Sequence, residues 1–255
     1  MTEAWTAKFG GRSPLFGTLL SLPSAAVAEI AAEAGFDWLF LDMEHGGFDT
    51  AGVQSALRAV AGRTPCIVRV PRNEPNAIAR ALDAGADGLI FPHVNTADEA
   101  RACVEAALYP PEGARSIGLA RAQGYGARVA ESLAGANRGT VRIVQAEHIL
   151  AAQNIGQILA VSGIDAVFIG PYDLSGSLGK PGRTADPEVV DAIRKIRNAA
   201  AAAGGIPAGI FVADAEAGRK AAAEGFSLIA AATDALLLGQ AAKRLARALK
   251  TGVLP

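Results

Sequence analysis

The chain has 255 residues, 51% of them apolar and 5% aromatic, with a formal net charge of −1. A length near 250 residues suits one undivided strand-and-helix barrel, so residues 1–255 read as a single domain with an alanine- and glycine-rich core. Near-neutral charge spread along the chain gives no electrostatic case for nucleic acid or a membrane surface.

In chain order, the opening "MTEAWTAKFGGRSP" is polar and holds no signal-peptide segment, and nothing further on reaches the length of a membrane span. "PLFGTLL" from Pro14 reads as a strand and "PSAAVAEIAAEA" as a helix. "AGFDWLFLD" from Ala34 then turns at a glycine into a short apolar run. "PCIVRV" is the next strand, "EPNAIARALDA" the next helix, and "AGADGLIFP" repeats the glycine-turn pattern before the helix "ADEARACVEAAL". The stretch from Leu119 to Gly139 is long and glycine-punctuated, and is either a loop over the site or a surface connection. "TVRIVQAE" and "SGIDAVFIG" are strands, "PEVVDAIRKIRNAAAAA" a helix, and "IPAGIFV" and "EGFSLIAAA" the last strands. The basic residues from Lys243 to Lys250 read as the solvated face of a final helix. Cys66 and Cys103 are too few and too widely spaced for a metal site or disulfide framework and read as packing residues of a cytosolic protein.

Eight such strands with helical crossovers predict a single-domain (β/α)8 TIM barrel, since an open doubly wound sheet usually contains fewer. Barrel sites gather where strands finish. Those points carry Asp42 and His45, Arg69, Gln145 and Glu147, and Tyr172 and Asp173. Glu44 is expected to point away from His45, because neighbours on an extended segment alternate, and Asp42 to face the site. Arg69 closes an apolar strand, where an ion pair with Asp42 would offset its burial and would be compatible with catalysis. Taken singly, Glu147 and Asp173 are equally readable as helix caps or ion-pair partners, and His45 as a structural histidine. The glycines of "GPYDLSGSLG" allow backbone N–H groups to approach an anion such as a carboxylate, or a plain strand-to-helix turn capped by Asp173 or Ser175.

Taken together, "GFDWLFLDMEHGGFD", "VRVPRNEPNAIARALDAGADGLIFPHV", "YPPEGARSIG", "VQAEH" and "GIDAVFIGPYDLSGSLG" resemble, in order and spacing, the class II pyruvate aldolases of the HpcH/HpaI family over nearly the whole chain. The resemblance implies a (β/α)8 barrel that makes or breaks a carbon–carbon bond next to pyruvate with a divalent metal, magnesium or manganese with cobalt as a further candidate. It also implies a hexamer. On matching motifs, Glu147 and Asp173 correspond to metal ligands and His45 to the base, its basicity raised by Asp83. Arg69 corresponds to the stabiliser of the oxyanion, and Gln145 with the backbone at Tyr172 and Asp173 to substrate contacts; Asp42 is placed to hold a metal-bound water. Ser116, His93 and His148 depart from the common pattern, which leaves the reaction class intact and the aldehyde open. His93 and His148 are read as structural or specificity residues.

Such an aldolase must stabilise an enolate, and a hard cation with oxygen ligands does so. No lysine stands at a strand end to form a Schiff base, so the metal-dependent route is expected on 4-hydroxy-2-oxo acids, releasing pyruvate or hydroxypyruvate and an aldehyde. Two other readings are an acyl-CoA lyase like the citrate lyase β subunit, which normally adds basic surface for the nucleotide, and a barrel that binds oxo acids without turnover.

Overall fold

A computed structural model describes residues 13–251. The polar opening stretch therefore lies almost wholly outside the described residues. Eight parallel strands close into a barrel in sequence order: β1 Leu15–Leu20, β2 Trp38–Asp42, β3 Cys66–Arg69, β4 Gly88–Phe91, β5 Val141–Ala146, β6 Ala166–Ile169, β7 Ala208–Val212 and β8 Leu228–Thr233. Around them run α1 Ala25–Glu33, α2 Thr50–Val60, α3 Pro75–Asp83, α4 Ala97–Ala107, α5 Val129–Gly139, α6 Ile149–Leu159, α7 Pro171–Ser177, α8 Pro187–Ala202, α9 Ala215–Ala223 and α10 Asp234–Thr251. The expected (β/α)8 TIM barrel is the observed one. None of the described helices is long and apolar enough to cross a membrane.

Alternation along each strand divides the core in two. Inward residues form one cluster that includes Trp38, Phe40, Ile67, Ile90, Ile143, Phe168 and Leu228, while outward residues such as Leu39, Leu41, Val68, Leu89 and Val144 pack under the helices. Edge-on contacts of Phe168 with Phe40 at 5.5 Å and Trp38 at 6.2 Å fill the interior. Gly17 makes room for them, since a Cβ there would stand 2.6 Å from the Trp38 ring. With so many inward aromatics the barrel is plugged, and its polar chemistry is confined to the rims.

Helix starts are fixed by side chains accepting otherwise unpaired N–H groups. Asp49 does this for α2 and Asp214 for α9, and Thr96 with Glu99 forms a capping box on α4. The 119–139 stretch is neither an open loop nor a cover over the strand ends. It forms a 3-10 turn, Arg121–Gly126, followed by α5. Arg121 donates to the Ala84 carbonyl at 2.9 Å, Gln123 to the Tyr109 hydroxyl at 2.9 Å and Arg58 to the Tyr125 hydroxyl at 2.6 Å. The first of these contacts lies at the end of α3, so the segment packs against the rim where strands begin.

Cys66 and Cys103 are both buried and free. Burial pushes the Cys103 thiol up to about 12, and burial together with the Asp87 charge pushes Cys66 higher still. Thiolate is the reactive form, so folded protein at neutral pH should be labelled slowly by iodoacetamide at both positions, and unfolded protein in guanidinium quickly. Fast labelling of the folded chain would contradict a packing role.

Candidate active site at the strand ends

The inward period of two that supplies the hydrophobic plug continues upward into polar residues. On β2, Trp38 and Phe40 are succeeded by Asp42; on β3, Ile67 by Arg69; on β5, Val141 and Ile143 by Gln145. Asp42 and Arg69 are register partners on neighbouring strands. The guanidinium grips that carboxylate with two bonds, Nε to Oδ1 at 2.9 Å and Nη2 to Oδ2 at 2.7 Å, and its carbon lies 5.3 Å from the Phe40 ring centre. Burial works against the Arg69 charge, but the hydrogen bond and field of Asp42, with Glu44 and Glu147, outweigh it and leave its pKa above that of ordinary arginine. Asp42 also accepts the N–H groups of Glu44 and His45. Its carboxylate thus aims Arg69 and shapes the turn. Gly46 is required in that turn because a Cβ would collide with the Asp42 carbonyl oxygen.

Glu44 turns into the site, against expectation. Its side chain is buried, 3.0 Å from Arg69 Nη1 and 2.9 Å from His93 Nε2. The alternation rule was anchored on the wrong neighbour: Glu44 stands two residues after inward Asp42, not one residue before an inward His45. His45 is exposed at the rim, with Nε2 4.0 Å from Glu44 Oε2.

Across the rim, Glu147 is almost fully buried two residues beyond Gln145. Its Oε1 accepts the His93 backbone N–H at 2.7 Å and stands 3.0 Å from His93 Nδ1, while Oε2 accepts from the Gln145 amide. Burial raises the Glu147 pKa and Glu44 adds to it, against the opposing hydrogen bond from the His93 backbone, the charge of His93 and the Gln145 amide. Gly170 leaves the space these groups need, since a Cβ would lie 3.1 Å from Glu147 Oε2. The next residues open α7, on which Ser175 bonds the Tyr172 carbonyl, and Ser177 at its end accepts the N–H of Ile149, the first residue of α6, tying the two helices together just after Glu147. Tyr172 and Asp173 are exposed there.

Asp83 is not brought to His45 within one chain. It closes α3 at the rim where strands begin, bonded to Arg115 at 2.7 Å and Gln123 at 3.4 Å. His148 caps α6, its Nδ1 accepting the Leu150 N–H at 3.1 Å, as a structural reading requires. A cavity of about 660 Å³ also lies away from the strand ends, lined by Cys66, Arg115, Arg121 and Tyr125 among others, and none of the strand-end residues borders it.

Among the described residues, Glu44, His93 and Glu147 offer ligand atoms all within 4.8 Å of one another. Gln145 Oε1 is buried without a hydrogen-bond partner, while buried Glu44 Oε2 is ion-paired with Arg69 Nη1 at 3.0 Å. Two buried carboxylates beside an imidazole and an unpaired amide oxygen fit a divalent cation. Asp173 stands outside that group.

The profile of the HpcH/HpaI aldolase/citrate lyase family matches residues 15–241. A hydroxypyruvate/pyruvate aldolase of Paraburkholderia phytofirmans is 41% identical over 239 residues, 91% of each chain. A 4-hydroxy-2-oxovalerate aldolase of Rhodococcus jostii is 42% identical over 238 residues, covering 92% of this chain and 91% of its own. The crystal structure of an HpcH/HpaI aldolase/citrate lyase family protein from Burkholderia cenocepacia superposes with a TM-score of 0.94 at 36% identity, over 98% of this chain and all of the other.

Proposed function

Because the chain belongs to the HpcH/HpaI aldolase/citrate lyase family, we propose that it is a carbon–carbon lyase that reversibly cleaves 4-hydroxy-2-oxo acids to pyruvate or hydroxypyruvate and an aldehyde. The observation that carries the reading is a buried guanidinium locked by Asp42 at the strand ends, facing a rim that also holds buried Glu147 and Gln145. Relatives over nine-tenths of the chain bear aldolase names, which disfavours the acyl-CoA lyase and the non-catalytic barrel.

Glu147, with Asp173 joining from the start of α7, would hold a divalent cation, magnesium or manganese with cobalt as a further candidate, and that cation would supply Lewis acidity at the oxo-acid end of the substrate. His45 takes the proton of the 4-hydroxyl as the bond between carbons 3 and 4 breaks, and the aldehyde departs. The electron pair stays on the three-carbon fragment as an enolate, whose oxygen Arg69 stabilises until carbon 3 regains a proton. Gln145 and the backbone N–H groups of Tyr172 and Asp173 orient the carboxylate.

A homo-oligomer, the hexamer expected from the family, accounts for α10, where Leu237, Leu238, Leu245 and Leu249 are exposed. It also bears on Asp83. Since this residue and His45 lie at opposite rims of one barrel, their pairing requires two copies of the chain. The enzyme operates on small molecules in the cytoplasm.

Incubation with manganese and a panel of 4-hydroxy-2-oxo acids, with released pyruvate or hydroxypyruvate measured, tests the reaction; no turnover with any of them would sink it. His45→Ala should lower kcat by about 10²–10⁴ while calorimetric manganese affinity stays unchanged. An unaltered rate would reduce this histidine to a surface residue.

A further inference from the structure

We propose that His93 is itself a ligand of the divalent cation through Nδ1, with Glu44 as the carboxylate that holds its other ring nitrogen. The inference rests on the metal-dependent reading above and deepens it, because it makes the site a mixed nitrogen and oxygen centre.

Three observations converge. His93 Nδ1 and Glu147 Oε1 are 3.0 Å apart, the spacing of adjacent ligands on an octahedral ion with bonds of about 2.1 Å. On the far side of the ring, Nε2 lies 2.9 Å from Glu44 Oε1. A metal-bound histidine almost always donates its second N–H to a carboxylate, which fixes the tautomer and strengthens the ligand. Glu44 is in turn held by Arg69 at 3.0 Å, so the orienting carboxylate is itself fixed.

The backbone supplies the third observation. His93 adopts φ 53°, left-handed for a residue with a side chain. The conformation is held by its N–H bond to Glu147, by Asn73 donating to the Pro92 carbonyl at 2.6 Å and by Asn95 donating to the His93 carbonyl at 3.1 Å. Local strain maintained by this many contacts marks positions where geometry serves a site. Here it turns the ring back over Glu147 instead of out along the chain.

An imidazole ligand changes which ion is preferred. Magnesium favours oxygen alone, whereas cobalt, nickel and zinc gain from nitrogen. His93→Asn keeps a residue that tolerates left-handed backbone and removes the ring; His93→Gln offers an amide in place of imidazole. In manganese-loaded protein, pulsed electron paramagnetic resonance should show nitrogen-14 coupling for the wild type and for His45→Ala, and none for His93→Asn. Calorimetry should show the preference for cobalt over magnesium falling in His93→Gln by at least about tenfold, the smallest loss expected even for an outer-shell contact. Bound manganese without nitrogen coupling in the wild type, or coupling that persists in His93→Asn, overturns the assignment while leaving the aldolase reading intact. A wild-type protein that binds no divalent cation overturns both.

Discussion

Glu147→Gln should abolish divalent-cation binding and aldol turnover together while leaving the metal-free protein at least as stable as the wild type. Glutamine has the same shape but no charge to hold a cation. The expected gain in metal-free stability follows from the environment of the carboxylate. Burial raises its pKa, so the folded chain binds this proton more tightly than the unfolded chain. Stability is therefore lost as pH rises from the ordinary carboxylate value through the raised one, so the carboxyl group costs the metal-free fold stability above the ordinary carboxylate range. Glutamine removes that cost and still accepts the His93 N–H, and its NH2 donates to the Gln145 oxygen once the Gln145 amide, which now donates to Glu147 Oε2, flips over.

Metal linkage then separates the two proteins. A cation at 100 times its Kd stabilises the folded wild type by about 2.7 kcal/mol, and melting curves with and without manganese should show that gain in the wild type and none in Glu147→Gln. A variant that melts like the wild type under both conditions would remove Glu147 from the metal site.

The barrel was legible because half of its strands, β2, β4, β6 and β8, announce themselves twice, by a glycine turn and by a short apolar run. Within "AGFDWLFLD", "AGADGLIFP" and "SGIDAVFIG" the apolar runs after the glycine turns fall on β2, β4 and β6. Alternation from the barrel plug outward also makes Asp42, Arg69, Gln145 and Glu147 legible as inward strand-end residues. Applied from Asp42, the same rule would have found Glu44.

His93 is different. It follows Pro92 at a left-handed residue, where neither strand nor helix periodicity predicts direction. Asp83 shows a further limit: the resemblance paired it with His45, but as the last residue of α3 it lies at the strand-start rim. A helix that returns from strand ends to strand starts carries its final residues away from the site, and only a second copy can bring them back. The 119–139 stretch could not be assigned from glycine content because the groups that dock it, the Ala84 carbonyl, Tyr109 and Arg58, are remote in sequence.

Arg69→Lys retains a positive charge yet should lose about 10²–10³ in kcat, the usual scale for removing one preorganised oxyanion donor. Arg69 has a planar fork: Nε and Nη2 are spent on Asp42, which leaves Nη1, beside Glu44, directed along the rim. One end of the group is thereby fixed while the other is the end that the proposed mechanism assigns to the enolate oxygen. Lysine has a single flexible ammonium that cannot hold both Asp42 oxygens and aim a donor elsewhere. Placed against Asp42 it withdraws from the substrate; placed toward the substrate it leaves a buried carboxylate unpaired. Asp42→Asn tests the same logic from the other partner, keeping Arg69 but removing the charge that aligns it. It should lower kcat without removing calorimetric manganese binding, because Asp42 lies outside the Glu44, His93 and Glu147 group. Removing one partner of a buried pair also costs stability, typically about 3–5 kcal/mol, so rates must be measured well below the melting transition. Near-normal turnover in Arg69→Lys would mean that any cation at this position suffices, and that the bidentate grip of Asp42 serves the fold and not the reaction.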